Sequence, residues 1–427
     1  MGLGLPEIKI PEGYTLIVYG PAKLKVLEGV LRVFGAEFSD GQEFNVEPTR
    51  ALPLYAHQNA VINVEYGSFT FHIGDTTPGE WYELAEKLAS SNIRRVLVIG
   101  DVDSGKTSLV TLLVNVLANR GNKVAVIDAD VGQKSIGPPG TIGLGVTEKS
   151  VYSLSSIPLY DAFFTGSNSP ASVIHRSIVG AALLARKAEK LVDRLIIDST
   201  GWVTEGEGRE LKFFKTLITE PDLVVLVGAP SQLVQIEREL EALVEIVRVP
   251  KPAFIASRDK QDRKEYRRYM YSRYFTGASV KSISLNNIRT AYSYFLSGRP
   301  LDSEETFKLQ SILGVEVLYA EKADDYLGAI VGSSPIPQAL DFAKNAFSVR
   351  HFRLLQGYEL LHSVVGFMSK ERYCEGIGII TGFNAREKRV SVLTPVERID
   401  NKLWLIGSQK VNPLSFEEEA GLEKWSL

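Results

Sequence analysis

The middle of the chain alternates between uniformly apolar runs and longer amphipathic segments. The apolar runs of strand length are 96–100, 123–130, 194–200, 223–229 and 252–257, and helical patterns cover 108–121 and 172–191. Because strands that are buried on both faces of a sheet are apolar at nearly every position, these runs predict parallel strands covered by helices. The pattern indicates a doubly wound α/β domain with a mostly parallel sheet over residues 86–300.

The two ends of the chain have a different pattern. Short apolar runs separated by Gly, Pro and Asp-Gly turns lie at 14–20, 30–35 and 60–67, and similar runs return at 376–383, 389–396 and 402–411. Short strands separated by such turn residues are typical of small β-sandwiches or barrels. The segment 76–92 is instead predicted to be a helix or a linker. We therefore predict three domains: an N-terminal β-sandwich-like domain (1–85), the α/β domain (86–300) and a C-terminal β-rich domain (301–427).

Composition and charge narrow the possible functions. The 427 residues include 48 Lys and Arg, 51 Asp and Glu, and a single cysteine, Cys374. This balance argues against binding nucleic acid through overall positive charge, and one cysteine excludes a disulfide framework or a cysteine-rich metal site. We find no signal peptide and no apolar run of about 18 residues or more. These features predict a soluble intracellular protein, cytoplasmic or, in a eukaryote, nuclear, with no membrane partner.

The strongest chemical signal is the sequence GDVDSGKT at 100–107, which follows a predicted strand and opens a predicted helix. In that context GxxxxGK[ST] is a P-loop, whose backbone amides and helix N-terminus bind the phosphates of a nucleoside triphosphate. Lys106 is expected to contact the β- and γ-phosphates, and the hydroxyl of Thr107 to bind Mg²⁺. The predicted nucleotide-binding residues are Gly100, Asp101, Asp103, Ser104, Gly105, Lys106, Thr107 and Ser108.

Acidic residues end the next two predicted strands. Asp130 closes the second strand and is followed by Gln133, and Asp198 closes the third. Ligands bind at the carboxyl edge of such sheets, so both acids compete for the role of metal ligand. We favour Asp130 as base and metal organiser, with Asp198 as a secondary metal ligand and Gln133 orienting the acceptor or the phosphate. The alternative for either acid is a structural cap at the end of a strand.

Two further segments could contact a substrate. Trp202 follows Gly201 in a loop at the ligand edge, where an exposed indole would stack on a base; the alternative is a core position. Residues 258–273 contain seven Lys or Arg and three Asp or Glu, interleaved with tyrosines, and Arg263 and Arg267 share one helical face. A basic helix here could be a catalytic lid or bind a nucleic-acid strand with its tyrosines, or it could simply be a solvated face.

Together these segments resemble one known family, the polynucleotide 5′-hydroxyl kinases of RNA processing. The resemblance rests on motifs in order: GDVDSGKT, DADVGQ (128–133), FFTGSNSP (163–170), STGW (199–202) and the Arg-rich segment that runs into YFTG (274–277). Both flanking β modules are also similar to those of the family, so the resemblance spans essentially the whole chain. The DADVGQ and STGW pair is much more specific than the P-loop alone.

The resemblance implies transfer of the γ-phosphate of ATP, with Mg²⁺, to the 5′-hydroxyl of RNA, with DNA left open as an acceptor. It implies that Lys106 and Asp130 are catalytic together with lid arginines, for which we select Arg263 and Arg267. The substrate-binding residues that we select are Gln133, Thr200, Gly201, Trp202, Arg268 and Arg273. Which of the arginines act is undecided, because their spacing does not align with the family. Other RNA-processing proteins are expected partners.

Two other functions fit part of the pattern. A P-loop NTPase switch would hydrolyse nucleotide to regulate a protein partner, and the SRDK sequence at 257–260 is only a poor match to a guanine-reading loop. A catalytically silent scaffold would bind ATP structurally within an RNA-processing complex. The scaffold is disfavoured because Lys106, Thr107, Asp130 and Trp202 are all present.

Overall fold

A computed structural model describes residues 7–228 and 230–421 of the chain. The chain folds into two compact units. The first unit extends to Asp161 and includes Ser169–Met270, and the second contains Ala162–Asn168 and resumes at Tyr271. Within the described residues, no helix combines the length and apolarity needed to cross a membrane.

The first unit begins with a seven-stranded sheet in which all the neighbouring strands pair antiparallel. Its strands are β1 (Glu7–Ile10), β2 (Tyr14–Glu28), β3 (Leu31–Val33), β4 (Ala36–Phe38), β5 (Glu43–Val46), β6 (Ala51–Ala56) and β7 (Ala60–Ile73). Alternate residues of β6 are buried, which is the period expected of strands with one face on a core. The predicted β structure of this segment is confirmed, and the segment 76–92 contains helix α1 (Gly79–Ala89).

A second seven-stranded sheet has the order β11-β10-β9-β12-β8-β13-β14. Its strands are β8 (Arg95–Gly100), β9 (Val124–Ala129), β10 (Thr141–Thr147), β11 (Leu159–Phe164), β12 (Arg194–Ser199), β13 (Leu223–Val227) and β14 (Glu245–Val249). The helices along it are α2 (Lys106–Asn119), α3 (Ile174–Ala188), α4 (Gly206–Thr219), α5 (Pro230–Leu240) and α6 (Lys260–Tyr274), with 3₁₀ turns at Leu154–Ser156 and Pro170–Val173. Strands β9, β12, β8, β13 and β14 are parallel and β10 is antiparallel to β9, so the predicted mostly parallel sheet is confirmed.

The sheet brings the predicted acids to one edge. Strand β12 lies between β8 and β9, and in this register Asp198 is beside Val98 on one side and Asp128 on the other. Every residue of β9 is buried, because helices cover both faces of these central strands. The P-loop, the loop with Asp130 and the loop with Trp202 therefore leave the sheet from three adjacent strands.

One predicted strand is wrong. Residues 252–257 have no regular structure, and the last strand of this sheet is β14, which ends at Val249. Prolines at 250 and 252 lack the N–H group that a ladder requires, so pairing stops before them. The carbonyl of Pro250 instead accepts a hydrogen bond from the indole of Trp81 at 2.8 Å.

The described part of the second unit contains two sheets and, beyond the end of α6, two helices. One sheet has the order β15-β23-β22-β21-β24-β16 with β25 paired to β24, and the other has the order β17-β18-β19-β20. The strands are β15 (Ser279–Ser284), β16 (Arg289–Ala291), β17 (Arg299–Pro300), β18 (Val317–Lys322), β19 (Tyr326–Val331), β20 (His351–Gln356), β21 (Ser363–Met368), β22 (Cys374–Asn384), β23 (Arg389–Thr394), β24 (Leu403–Val411) and β25 (Glu418–Glu419). The helices are α7 (Ser303–Leu313) and α8 (Pro337–Phe347), with 3₁₀ turns at Leu285–Asn287 and Gly357–Leu360.

Strands that precede residue 301 already belong to the C-terminal sheet of this unit. Strand β15 pairs antiparallel with β23, and β16 pairs with β24, so both belong to the C-terminal sheet. Helix α7 begins with a reciprocal capping box between Asp302 and Glu305, a signal that the sequence does contain. The single cysteine, Cys374, is buried, and its thiol donates to the carbonyl of Gly376 at 3.1 Å.

Candidate active site

The P-loop links the end of β8 to the start of α2, and its glycines are sterically required. Gly105 has φ +91°, and a Cβ there would lie 2.9 Å from Cδ of Pro252. A Cβ on Gly100 would lie 2.5 Å from the carbonyl oxygen of Val227. The loop can follow this path only without side chains at these positions, and it leads directly into the N-terminus of α2, where Thr107 and Ser108 follow Lys106.

Lys106 lies across this loop. Its ammonium group donates hydrogen bonds to the carbonyl of Asp101 and, at 3.4 Å, to the hydroxyl of Ser104. Burial lowers the pKa of Lys106, an effect that the negative charges of Asp198 and Asp130 oppose. The predicted phosphate-binding lysine is thus buried beside both candidate acids.

Thr107 and Asp198 form a direct pair. The Thr107 hydroxyl donates to Oδ2 of Asp198 at 2.8 Å, whereas Oδ1 of Asp198 is buried without a hydrogen-bond partner in the described part of the chain. Burial, together with the neighbouring Asp128 carboxylate, raises the pKa of Asp198 to about 7. A buried carboxylate oxygen without a partner beside a hydroxyl is a donor set that suits a hard cation such as Mg²⁺.

Asp130 lies just beyond the end of β9 and is partly exposed. Its Oδ1 accepts hydrogen bonds from the backbone amides of Gly132 at 2.9 Å and Gln133 at 3.0 Å. Burial alone would raise the pKa of Asp130, but these amides and the charges of Lys106 and Lys134 outweigh it and lower the pKa. Asp130 is therefore an ionised carboxylate at neutral pH, fixed by its own loop.

The other acid of this segment, Asp128, organises the loop. It forms a fully buried ion pair with Lys134, with 3.0 Å between Oδ1 and Nζ. Its Oδ2 accepts hydrogen bonds from the amides of Ser135 and Ile136 at 2.6 and 2.9 Å. Among residues 7–228 and 230–421, no three His, Cys, Asp or Glu side chains form a group that could hold a metal ion.

Arginines of the basic segment contact the P-loop through Asp103. The guanidinium of Arg258 donates to Oδ1 of Asp103 from Nε at 3.2 Å and from Nη2 at 2.9 Å, and Arg263 donates to Oδ2 at 3.3 Å. Gln133 joins the same group, because its amide oxygen accepts from Arg258 at 3.3 Å and its amide nitrogen donates to the carbonyl of Arg263 at 3.5 Å. The sequence analysis selected Arg263, Asp103 and Gln133 but missed Arg258.

The other predicted arginines lie elsewhere on the helix. Arg267 is half-buried, and Arg268 is exposed and pairs with Glu265 at 3.4 Å. Arg273 belongs to the second compact unit, where its side chain is exposed. Arg263, one of the four predicted lid arginines, contacts the P-loop through Asp103.

The tyrosines of the same segment do not form a stacking surface. Tyr266 and Tyr271 are both fully buried. The hydroxyl of Tyr266 donates to Glu47 at 2.9 Å, which attaches helix α6 to the N-terminal sheet of the same unit. The idea that these interleaved tyrosines stack on nucleic-acid bases is therefore wrong for these two residues, since their spacing reflects core packing.

The Trp202 loop contacts the P-loop through a glycine. A Cβ on Gly201 would lie 2.8 Å from both N and Cα of Val102, so the two loops are packed backbone to backbone. The Trp202 side chain is half-buried, and its Nε1 donates to Glu205 at 2.9 Å. The indole is not among the buried core residues of the described chain, which leaves it available at the edge of the site.

Two buried lysines that the sequence analysis did not select lie behind these loops. Lys212 and Lys215 of α4 are both 0 % exposed. Their ammonium groups donate to the carbonyls of Thr200 at 2.6 Å and Ala129 at 3.2 Å. Burial and mutual repulsion lower the pKa of Lys212 well below its ordinary value, and burial lowers that of Lys215 to about 8 against the attraction of Asp130. They lie on the helix face that also carries the buried Leu211 and Thr219, but their charge gave no sign of burial in the sequence.

Comparison with known proteins gives a consistent result. Residues 100–277 match the family described as mRNA cleavage and polyadenylation factor CLP1 P-loop. A polyribonucleotide 5′-hydroxyl-kinase of Pyrococcus furiosus is 33% identical over 341 residues, which cover 80% of this chain and 93% of that protein. A polyribonucleotide 5′-hydroxyl-kinase of Methanocaldococcus jannaschii is 30% identical over 308 residues, covering 72% and 83% of the two chains.

Solved structures share the fold at lower identity. The Clp1p chain in a structure of the wild-type Clp1p–Pcf11p complex superposes with a TM-score of 0.67 at 15% identity, covering 95% of this chain and 97% of that chain. At this identity the likeness establishes the architecture alone.

Proposed function

This chain belongs to the polyribonucleotide 5′-hydroxyl-kinase family, and from that premise we propose that it transfers the γ-phosphate of ATP to the 5′-hydroxyl end of RNA. The observation that carries the proposal is the convergence of Lys106, the Thr107–Asp198 pair and Asp130 on one edge of three adjacent parallel strands. In-line phosphoryl transfer depends mostly on positioning and charge neutralisation, and these groups supply both.

In this proposal the P-loop binds the triphosphate. The amides between Gly100 and Lys106 and the N-terminus of α2 bind phosphate oxygens, and the Lys106 ammonium contacts the β- and γ-phosphates. Its existing bonds to the loop are to a carbonyl and a hydroxyl, so a phosphate can replace them with a stronger, charge-assisted contact.

Mg²⁺ would be held by the Thr107 hydroxyl and the Asp198 carboxylate, with Asp130 at the neighbouring strand end. The support for this is the buried Oδ1 of Asp198, which lacks a hydrogen-bond partner within the described residues. When bound, the ion would neutralise negative charge on the phosphate oxygens. Binding of the ion would also favour the ionised form of Asp198, whose pKa the metal-free surroundings raise to about 7.

Asp130 is the residue that we propose orients the acceptor and takes its proton. Two backbone amides fix one oxygen of the carboxylate, and its lowered pKa keeps it ionised. A loose transition state needs little proton abstraction before the phosphoryl group moves, so a weakly basic carboxylate is adequate as a late proton acceptor. Its main contribution is then to hold the 5′-hydroxyl oxygen in line with the γ-phosphorus.

Arg258, Arg263 and Trp202 complete the proposed site. The two guanidinium groups form ion pairs with Asp103 of the P-loop, and from this position they can stabilise charge on the transferring phosphoryl group. Trp202 supplies a partly exposed ring beside the P-loop for stacking on the terminal base, a contact worth about 1–3 kcal/mol. Protein partners in RNA processing remain a prediction from the family resemblance.

The test is direct. The protein is incubated with γ-labelled ATP, Mg²⁺ and matched 5′-hydroxyl RNA and DNA oligomers, with the 5′-phosphorylated RNA as a control. We expect label on the 5′-hydroxyl RNA and none on the control. Free labelled phosphate without labelled oligomer would instead support an NTPase switch, and ATP binding with neither product would support a scaffold.

A further inference from the structure

Helix α4 has an inverted amphipathic pattern. Three of its large apolar side chains, Phe214, Leu217 and Ile218, are 41 to 50 % exposed, whereas Lys212 and Lys215 are completely buried. The hydrophobic effect alone would rotate such a helix to bury the apolar residues and expose the lysines. The observed rotation therefore depends on what the two ammonium groups bind.

Each lysine donates a hydrogen bond to a carbonyl at the end of a strand from which a loop of the proposed site begins. Lys215 donates to the carbonyl of Ala129, the last residue of β9 and the neighbour of Asp130. Lys212 donates to the carbonyl of Thr200, which directly follows β12 and precedes Gly201 and Trp202. One helix thus holds the starting points of both loops that the proposed mechanism uses.

The lysines also lie within electrostatic range of the acids at this edge. Asp128, Asp130 and Asp198 all attract Lys215, which Lys134 repels, and Lys106 repels Lys212. Removing the positive charge of Lys215 would leave these carboxylates less well offset in a site that must accept a polyanionic triphosphate.

We propose that Lys212 and Lys215 are positioning residues of the kinase reaction, which hold the Trp202 loop and the Asp130 loop in place from behind through their hydrogen bonds to the carbonyls of Thr200 and Ala129. This inference rests on the proposed function and adds two residues that lie outside the sequence motifs. Neither lysine touches substrate in this scheme. Lys215 acts through Asp130, and Lys212 acts through the loop that contains Trp202.

The test uses Lys215→Met and Lys212→Met in the full chain, with Leu211→Met as the matched control at another buried position of the same helix. Methionine removes a buried charge but leaves the carbonyl that the ammonium group binds without this donor, so we expect Tm to fall by only about a few degrees, and activity is measured well below Tm. For Lys215→Met we expect kcat for 5′-hydroxyl RNA to fall about 10- to 100-fold with KM for ATP unchanged, the range typical of residues that orient a catalytic group. For Lys212→Met we expect chiefly a higher KM for RNA.

Coupling to Asp130 distinguishes positioning from a purely structural role. In an Asp130→Asn background, Lys215→Met should lower the residual rate by less than about threefold, because residues that act as a unit are not additive. The inference is overturned if kcat is unchanged, if activity falls only in proportion to a lower Tm, or if the effect of Lys215→Met is the same in both backgrounds. If Lys215→Met does not fold, Lys215→Leu, which also removes the N–H donor, takes its place under the same criteria.

The outcome for the unmodified protein separates this inference from the proposed function. Transfer by the unmodified protein together with full activity of both lysine variants refutes only the role of the lysines. Absence of transfer by the unmodified protein refutes the kinase function itself, and the positioning role with it.

Discussion

Asp103→Asn tests whether the contact between the lid arginines and the P-loop contributes to catalysis. The aspartate accepts from the Arg258 backbone amide at 3.2 Å, from the Arg258 guanidinium at 2.9 and 3.2 Å, and from Arg263 at 3.3 Å. Asparagine has nearly the same shape but no charge and only one acceptor oxygen. Helix α6 remains attached to the N-terminal sheet through Tyr266 and Glu47, so the variant is expected to fold.

The size of the effect follows from the burial of the pairs. The side chains of Asp103 and Arg258 are only 15 and 16 % exposed, so bonds between two charged groups, worth about 1.5–3 kcal/mol, would keep only the charge of the arginine and lose one acceptor oxygen. Arg263 is 34 % exposed, and solvent screening makes its contribution small. The expected total is about 1–2 kcal/mol, which corresponds to about a 5- to 30-fold lower kcat if the arginines act only while held on the loop.

The assay is steady-state phosphorylation of a 5′-hydroxyl RNA at pH 7, with Glu265→Gln as the control. Glu265 pairs with Arg268 on the exposed part of the same helix, with both side chains 45 % exposed, and its loss should leave kcat within about twofold. Unchanged or increased kcat for a folded Asp103→Asn protein would refute the idea that this contact supports transfer.

The pH dependence gives an independent check. Burial alone would raise the pKa of Asp103, but its hydrogen bonds and ion pair with Arg258 lower it below the ordinary 3.8. Because the pKa of Asp103 is lower in the folded state, its ionised carboxylate stabilises the fold at pH values above the ordinary pKa. This stabilisation is lost as the pH falls through the folded-state pKa. The difference in unfolding free energy between the original protein and Asp103→Asn should therefore narrow as the pH falls below about 4. A difference that stays constant from pH 7 to pH 3 would contradict the assigned charge interaction.

Two further substitutions test the packing of the site. Gly201→Ala would place a Cβ 2.8 Å from N and Cα of Val102, so we expect at least about tenfold weaker ATP binding in a titration, whereas Gly206→Ala, which meets nothing within 4 Å, should bind normally. Equal affinities would show that the loops are not packed as described. Arg263→Ala should lower kcat by about tenfold or more, whereas Arg268→Ala, at an exposed position, should leave kcat within about twofold. If a kinetic assay showed the larger loss for Arg268→Ala, the assignment of Arg263 to the lid would be wrong.

Local signals in the sequence predicted the core of the site. The P-loop, Asp130 and Asp198 were placed correctly at one edge, because parallel strands that are buried on both faces must end together and glycine spacing restricts the loop. Gln133 and Arg263 were also predicted, and the structure brings them into contact. These residues lie in segments where chain direction alone determines the edge of the sheet.

Long-range contacts account for what the sequence did not predict. Arg258 lies in an irregular segment where a strand was expected just before it, and its partner Asp103 is 155 residues away. Lys212 and Lys215 follow the helical period of a buried face but are charged, so hydrophobic patterning gave no reason to place them inside. Tyr266 was predicted as a contact for a nucleic-acid strand, but it is buried. A tyrosine within a charged run gives no local sign of being buried.

The central claim is that the Asp130 carboxylate faces both the triphosphate and the acceptor hydroxyl. Asp130→Asn preserves the shape of the side chain and one oxygen that can accept from the amides of Gly132 and Gln133. The decisive measurement is single-turnover transfer of labelled γ-phosphate to a 5′-hydroxyl RNA, with ATP affinity determined on the same preparation. We predict a rate lower by at least about 100-fold with ATP binding within about threefold of the original protein. A rate near that of the original protein would contradict the account.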